Sequence, residues 1–271
     1  MNNVATIMSV YKHDNADFFE IAVNSMLTQT LKTDIYIFID GELNSGLLSS
    51  VNKYRIYDNV FIVESKENVG LAMGLNSLID CIISGDKKYK YIARMDSDDI
   101  SYAYRLEKQV AFLSKNNHIS VLGCFCHEFG STFALDRKVL PENHDALLEF
   151  SITRCPFIHP TVVFNIDIFI KGFRYPTNTK FTEDMAFWLL LLDEGYIFSN
   201  LNEVLLDYRL NEDTVSRRKG IDKALSEIKI RLKYMFRLNK VSLKNSFLIF
   251  SRLVFHILPD IVIKRLYIKL R

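Results

Sequence analysis

The run Arg94-Met95-Asp96-Ser97-Asp98-Asp99 sets three carboxylates within four residues, directly after the apolar stretch Tyr89–Ala93. Carboxylates this close repel one another, and a divalent cation relieves the repulsion. Oxygen ligands suit Mg²⁺ or Mn²⁺ better than zinc, and a hard cation in turn suits a diphosphate. The competing reading is that these acids cap a helix starting near Tyr102. Arg94 is either their local counter-charge or a cation for a sugar hydroxyl or phosphate oxygen. A second pair, Glu183-Asp184, falls at a predicted helix start, where the helix dipole favours negative charge. One of these two acids could equally serve as a general base toward an attacking hydroxyl.

Smaller signals accompany the acids. Asp40-Gly41 closes a predicted strand, as a turn or as a carboxylate able to accept an imide N–H from a pyrimidine. Asn68-Val69-Gly70-Leu71-Ala72 reads as a strand-to-helix connection whose glycine permits unusual backbone angles, or as a helix cap. His159 lies between Ile158 and Pro160 with no partner assignable from sequence. Trp188, among Phe187 and Leu189–Leu192, reads as core or as a sugar-stacking ring. Cys124, Cys126, Cys155 and His159 match no common structural zinc spacing. The cysteines are expected to be reduced, small and buried.

Elements that could position these groups alternate through the first hundred residues. Strands are predicted over Val4–Val10, Ile35–Ile39, Val60–Glu64 and Tyr89–Met95. Helices are predicted over Ala16–Thr30, Leu47–Lys53 and Gly70–Ser84. That alternation predicts an α/β domain with a largely parallel sheet. Ligands gather beyond the carboxyl ends of such strands, where Tyr11, Asp40, Asn68 and Asp96–Asp99 all fall. The second half is less regular, with helices over Tyr102–Asn116, His144–Ile152 and Met185–Glu194 and strands over Val121–Glu128 and Thr161–Asn165.

The chain has 271 residues, 49% hydrophobic and 24% charged, enough to bury a substantial core. Its net charge of +2 hides an asymmetry: Arg217–Arg271 carries 15 Lys/Arg against 3 Asp/Glu, leaving residues 1–216 net acidic. We therefore divide the chain into a body, 1–216, and a basic amphipathic helical tail, 217–271. Lys229–Asn239 and Phe247–Leu258 mix apolar and basic positions at helical spacing, which suits an interfacial helix on an anionic membrane. Phe250, Val254, Ile257 and Ile261 could share one face, either for lipid or for packing on the protein. Aromatic and aliphatic residues dominate between the charges, which argues against nucleic acid. Met1-Asn2-Asn3-Val4 lacks a signal peptide's basic start and apolar core, and no run is long enough to span a bilayer. These features predict a cytoplasmic protein held peripherally at the inner face of the membrane.

In order, the ends of these elements run Tyr11, Ile39-Asp40-Gly41, Glu67-Asn68-Val69-Gly70-Leu71-Ala72 and Arg94-Met95-Asp96-Ser97-Asp98-Asp99. His159-Pro160-Thr161, Thr182-Glu183-Asp184 with Trp188, and Leu205-Leu206-Asp207-Tyr208-Arg209 complete the series. This order resembles family 2 glycosyltransferases of the GT-A fold over Val4–Arg209. The likeness is greatest to bacterial enzymes that build O-antigen, capsule and exopolysaccharide repeat units. The resemblance implies a Rossmann-like nucleotide-sugar-binding domain and inverting transfer from a UDP-sugar, with galactose or glucose favoured. It implies that Tyr11, Asp40, Asn68, Gly70, Arg94 and Asp96 line the donor site. Asp98 would hold Mn²⁺ or Mg²⁺. Asp184 would be the base, with Glu183 supporting the acceptor site, and Asp99, His159 and Trp188 would serve the acceptor or support the site. The acceptor it implies is a saccharide on undecaprenyl diphosphate. The first strand ends Ser9-Val10-Tyr11-Lys12 rather than in the family's usual Pro-x-Tyr-Asn, and the Gln-x-x-Arg-Trp motif of processive synthases is absent, which implies addition of one sugar per encounter. A catalytically silent sugar- or membrane-binding scaffold is the alternative.

Overall fold

The computed structural model describes residues 3–212 and 220–257, with side chains described to 253. Strands β1 (Val4–Tyr11) and β2 (Asp34–Asp40) are apolar almost throughout because both of their faces are covered. Val4, Met8, Val10, Ile35, Ile37 and Ile39 enter one core, and Ala5, Ile7, Tyr36 and Phe38 the other. Helices α1 (Ala16–Leu27), α2 (Ser45–Lys53) and α4 (Arg105–Lys115) cover the first face. The second is covered by α3 (Leu71–Ser84), α5 (His144–Ser151) and α7 (Glu183–Asp193), with the short α6 (Asp167–Ile170) beside them. Asparagines start three of these helices. Asn15 accepts from the amides of Asp17 and Phe18, Asn44 from Leu47, and Asn143 from Ala146.

The remaining strands are β3 (Val60–Ser65), β4 (Tyr91–Arg94), β5 (Ile100–Ser101), β6 (Val121–Phe129), β7 (Val163–Asn165) and β8 (Phe198–Arg209). Together with β1 and β2 they form one eight-stranded sheet in the order β3-β2-β1-β4-β7-β6-β8-β5. The β3-β2-β1-β4 half is parallel, as the alternating sequence predicts. The other half is mixed: β7 runs antiparallel to both neighbours and β5 antiparallel to β8, while β6 and β8 are parallel.

Strands β4 and β5 stand four places apart in the sheet, yet only residues 95–99 join them. Four interstrand spacings in a flat sheet come to roughly 19 Å. Six residue steps reach about 20 Å only when fully extended, and this segment contains a turn at Ser97-Asp98. The sheet must therefore curl, and the acidic run is the strap across its mouth. Ser101 anchors the far end, its amide donating to Ser25 Oγ at 3.1 Å and its hydroxyl accepting from Gln29 Nε2 at 3.1 Å. Because β5 intervenes and α4 begins only at Arg105 with no side-chain cap, the acids do not cap that helix.

Strand β8, twelve residues long, is absent from our sequence reading. Its pairing with β6 shifts register at Cys124/Phe125 and again at Phe125/Cys126, which breaks the period-two pattern. Beyond it, α8 (Ile221–Arg237) and α9 (Leu243–Ile257) pack on the body. Ile228, Met235 and Ile249 join Ile152, and Tyr234 meets Met185 and Leu189 of α7. The boundary placed at Ser216 lies outside the described residues, as do Leu258, Ile261 and the side chains of Val254 and Ile257. Among the described residues no helix is long and apolar enough to cross a membrane.

Candidate active site

The carboxyl ends of β1 and β2 open into a cleft of about 480 Å³, lined by Lys12, His13, Asp40, Gly41, Leu43 and Asn68 among others. Asp40 is almost fully buried, and both of its oxygens accept backbone N–H groups at the start of α3. Oδ1 takes Val69 N at 2.6 Å, and Oδ2 takes Gly70 N at 3.1 Å. Asn68 Nδ2 donates back to the Asp40 carbonyl at 3.3 Å. Asp40 therefore holds the Asn68–Gly70 loop against the strand end, just ahead of α3, which itself has no side-chain cap. Gly41 is needed at this contact, since its φ is +80° and a Cβ there would lie 2.9 Å from Asn68 N.

An acid that our sequence reading passed over joins this cleft to the strap. Asp14 Oδ2 accepts from the Tyr11 amide at 3.0 Å and from Ser97 Oγ at 2.9 Å. The loop after β1 and the middle of the Asp96-Ser97-Asp98 turn thus meet on one oxygen. Its only signal in the sequence is a carboxylate three residues beyond the end of the first strand. Burial raises the Asp14 pKa to about 6, with Asp96 adding to the effect. Burial raises Asp98 to about 7, with Asp96 and Asp14 reinforcing it and Arg209 opposing.

Asp99 is fully buried and shifted upward by burial, Asp96 and Asp98. It accepts the Arg209 amide at 2.7 Å through Oδ1, while Oδ2 has no hydrogen-bond partner. The Arg209 side chain donates to the Asp98 carbonyl at 2.8 Å and lies 3.7 Å from the Phe18 ring and 4.4 Å from that of Phe129. Asp99 and Arg209 together fasten the end of β8 to the strap.

Arg94 is buried behind the acids, donating to Asp96 Oδ1 and to the Met95 carbonyl. Arg105, also buried, donates to the Arg94 carbonyl at 3.3 Å and to the Pro160 carbonyl at 2.5 Å, and desolvation lowers its pKa to about 10. It fixes β4 relative to the His159-Pro160 turn. His159 Nε2 lies 3.0 Å from the Tyr175 hydroxyl, and burial reinforced by Arg94 keeps the imidazole neutral well below its usual pKa. Trp188 has no exposed surface, and its ring meets those of Phe157, Phe164 and His159, so it supports the histidine and presents no face to a ligand.

Glu183 and Asp184 form the first turn of α7. Burial and the neighbouring Asp184 raise the Glu183 pKa, while Lys223 and Arg94 oppose the rise. Asp184 Oδ1 accepts the Met185 amide at 2.6 Å. Arg94 is thus the cation shared electrostatically by the acid strap, His159 and Glu183. Cys124 and Cys126 are core residues, as expected, whereas Cys81 is exposed.

A cleft beyond parallel strand ends, with a cluster of carboxylates tied to its edge through Asp14, lies where open α/β sheets bind their ligands. The model of the glycosyl transferase family 2 matches residues 6–175, and the chain belongs to that family. It is 31% identical over 260 residues to the Escherichia coli UDP-Gal:alpha-D-GlcNAc-diphosphoundecaprenol beta-1,3-galactosyltransferase, covering 94% of this chain and 91% of the relative. It is 28% identical over 231 residues to the amylovoran biosynthesis glycosyltransferase of Erwinia amylovora, covering 84% of this chain and 85% of that one. Among solved structures, the Pyrobaculum calidifontis mannosyltransferase in complex with GDP-Man and Mn²⁺ superposes with a TM-score of 0.60 at 14% identity, over 98% of this chain and 83% of that one. The fold is thereby the GT-A fold.

Proposed function

We propose that this glycosyltransferase moves a hexose, galactose or glucose, from a UDP-sugar to a saccharide on a polyprenyl diphosphate, with inversion, in surface-polysaccharide assembly. The observation that carries this reading is the junction at Asp14, which ties the loop after β1, at the edge of the cleft, to the acid strap. The relatives' names supply the substrate classes. Asp40, Asn68 and Gly70 line the base end, Tyr11 and Arg94 back the site, and Asp96 faces the ribose or sugar.

The acids suit a divalent ion. They are hard oxygen donors, and burial, reinforced by the neighbouring Asp96 and Asp14, raises Asp98 to about 7. Among the described residues no set of three His, Cys, Asp or Glu closes around an ion. Mg²⁺ is commonly bound by one or two carboxylates together with substrate phosphates. Asp98 would hold the ion, which would neutralise charge on the departing diphosphate.

Asp184 takes the proton of the acceptor hydroxyl as its oxygen bonds to C1 of the donor sugar. The bond from C1 to the phosphate oxygen breaks, and UDP leaves with the electron pair. Glu183 lies beside this base and holds it near the acceptor. A screen of UDP-sugars with Mn²⁺ or Mg²⁺ and a synthetic GlcNAc-diphosphate-lipid tests the reading through acceptor-stimulated UDP release. Asp184→Asn should lower kcat by about 10³-fold with UDP-sugar affinity unchanged. Equal loss of donor binding would remove Asp184 from the role of base.

The same reading places the protein on anionic lipid. Leu243, Phe247 and Phe250 stand exposed at i, i+4 and i+7 of α9, with Phe236 and Val241 exposed nearby and Lys240 and Lys244 in the same stretch. Phosphatidylglycerol vesicles should sediment the protein at low salt and phosphatidylcholine vesicles should not, with Phe247→Ser/Phe250→Ser reducing the bound fraction about tenfold. Unchanged sedimentation of this double variant would rule out α9 as the contact.

A further inference from the structure

Phe181 occupies an unusual position. It precedes Thr182, the N-cap of α7, by one residue. An apolar residue at that place commonly folds back onto the fourth helical residue, which here is the buried Ala186. Phe181 instead stands 79% exposed, with φ at +53°. A bulky side chain in the left-handed region is strained, and such strain persists only where neighbours impose it. The neighbour is α8. Ser226 Oγ accepts the Lys180 amide at 3.5 Å and lies 3.4 Å from Thr182 Oγ1, gripping the chain on both sides of Phe181. The Lys180–Asp222 ion pair, 3.4 Å, adds a second tether to the same helix.

A strained, solvent-facing aromatic ring two residues before Glu183 and three before Asp184 has a simple use at a sugar-transfer site. We propose that Phe181 is the stacking platform for the accepting sugar ring, and that Ser226 of α8 holds it in position. This assignment rests on the transferase reading above. The apolar face of a pyranose lies flat on an aromatic ring while its hydroxyls point outward, toward the carboxylates. The groups tethered around Phe181 are polar: Lys180, Thr182, Asp222, Ser226, and Lys223 with its ammonium 5.9 Å from the ring centroid. A ring among such groups fits a sugar, which offers both an apolar face and hydroxyls. Ile221 and Leu225 of α8 are also exposed, and a lipid-dipping surface would use them together with the ring, so the two acceptors compared below separate the two uses.

The test is steady-state kinetics of the full chain with the UDP-sugar found in the screen. Two acceptors are compared, GlcNAc-diphosphate on a short alkyl chain and on a long polyprenyl-like chain. Phe181→Gly and Phe181→Leu should each raise the acceptor KM about tenfold or more for both acceptors. The donor KM and acceptor-independent hydrolysis should stay within about twofold, and Phe181→Tyr should retain parental values. Because glycine tolerates this φ, Phe181→Gly should melt no lower than the parent, which a packing role would not allow. An unchanged acceptor KM in a protein that turns over, or a loss confined to the long-chain acceptor, would overturn the assignment. A parent chain that turns over no UDP-sugar would overturn the transferase reading, and the platform with it.

Discussion

Asp98→Asn will leave a folded protein that transfers no sugar, with acceptor-stimulated UDP release falling at least about 10³-fold. The loss follows from the chemistry of departure: charge accumulates on the diphosphate, and a neutral amide at this position would not hold the cation that offsets it. The same substitution will stabilise the protein in the absence of divalent ions. Asp98 and Asp14 have folded pKa values of about 7 and about 6, both above the ordinary aspartate value of 3.8. Between about pH 4 and pH 7 the folded chain therefore binds protons that the unfolded chain has released, so stability falls as pH rises through that window. The penalty for Asp98 is complete above pH 7 and absent below about pH 4, with a size of about 4 kcal/mol. Thermal melts in chelator should show Asp98→Asn above the parent by roughly 7 °C at pH 8 and level with it near pH 4. Melts that differ equally at both pH values would remove the carboxylate's ionisation as the cause.

Arg231→Ala will cost about 3 kcal/mol of stability, the largest single-residue loss we expect in the C-terminal helices. Arg231 is fully buried, pairing with Glu227 at 2.8 Å and donating to the carbonyls of Ser151 and Ile152 at 3.0 Å each. Those carbonyls are the end of α5, which leaves its last acceptors unpaired as any helix does. Arg252 reaches the same Glu227 at 3.3 Å and donates to the Thr153 carbonyl. Alanine would leave Glu227 to Arg252 and strand the helix-end carbonyls. A calorimetric melt should fall by roughly 5 °C. Arg231→Lys should recover only part of it, since an ammonium cannot reproduce the planar fork. A melt within about 1 °C of the parent would show that α8 contributes no stability to the body.

The parallel half of the sheet was readable because β1, β2 and β4 are short apolar runs separated by amphipathic helices, and the local pattern alone dictates that arrangement. Asp40 and the acid run were readable for the same reason, since strand ends place them. What escaped depends on partners distant in sequence. Asp14 matters because it meets Ser97, 83 residues away. Strand β8 was hidden because its bulges erase the alternation, and β5 because two residues carry no periodicity. The basic tail suggested a lipid-facing segment or a packing face, and the structure shows one side of it packed and another exposed. Ile228, Arg231, Tyr234 and Ile249 face the protein, whereas Leu243, Phe247 and Phe250 do not. Spacing finds a helix, but only the surface it docks against decides which side is left over.

The bond between the Arg209 amide and Asp99 spans 110 residues. During synthesis on the ribosome, the strap can be drawn across the mouth of the sheet only after the strand ending at Arg209 has emerged. The acid strap is accordingly among the last parts of the body to mature. Loop closure over such a distance is slow, which separates folding from activity in time.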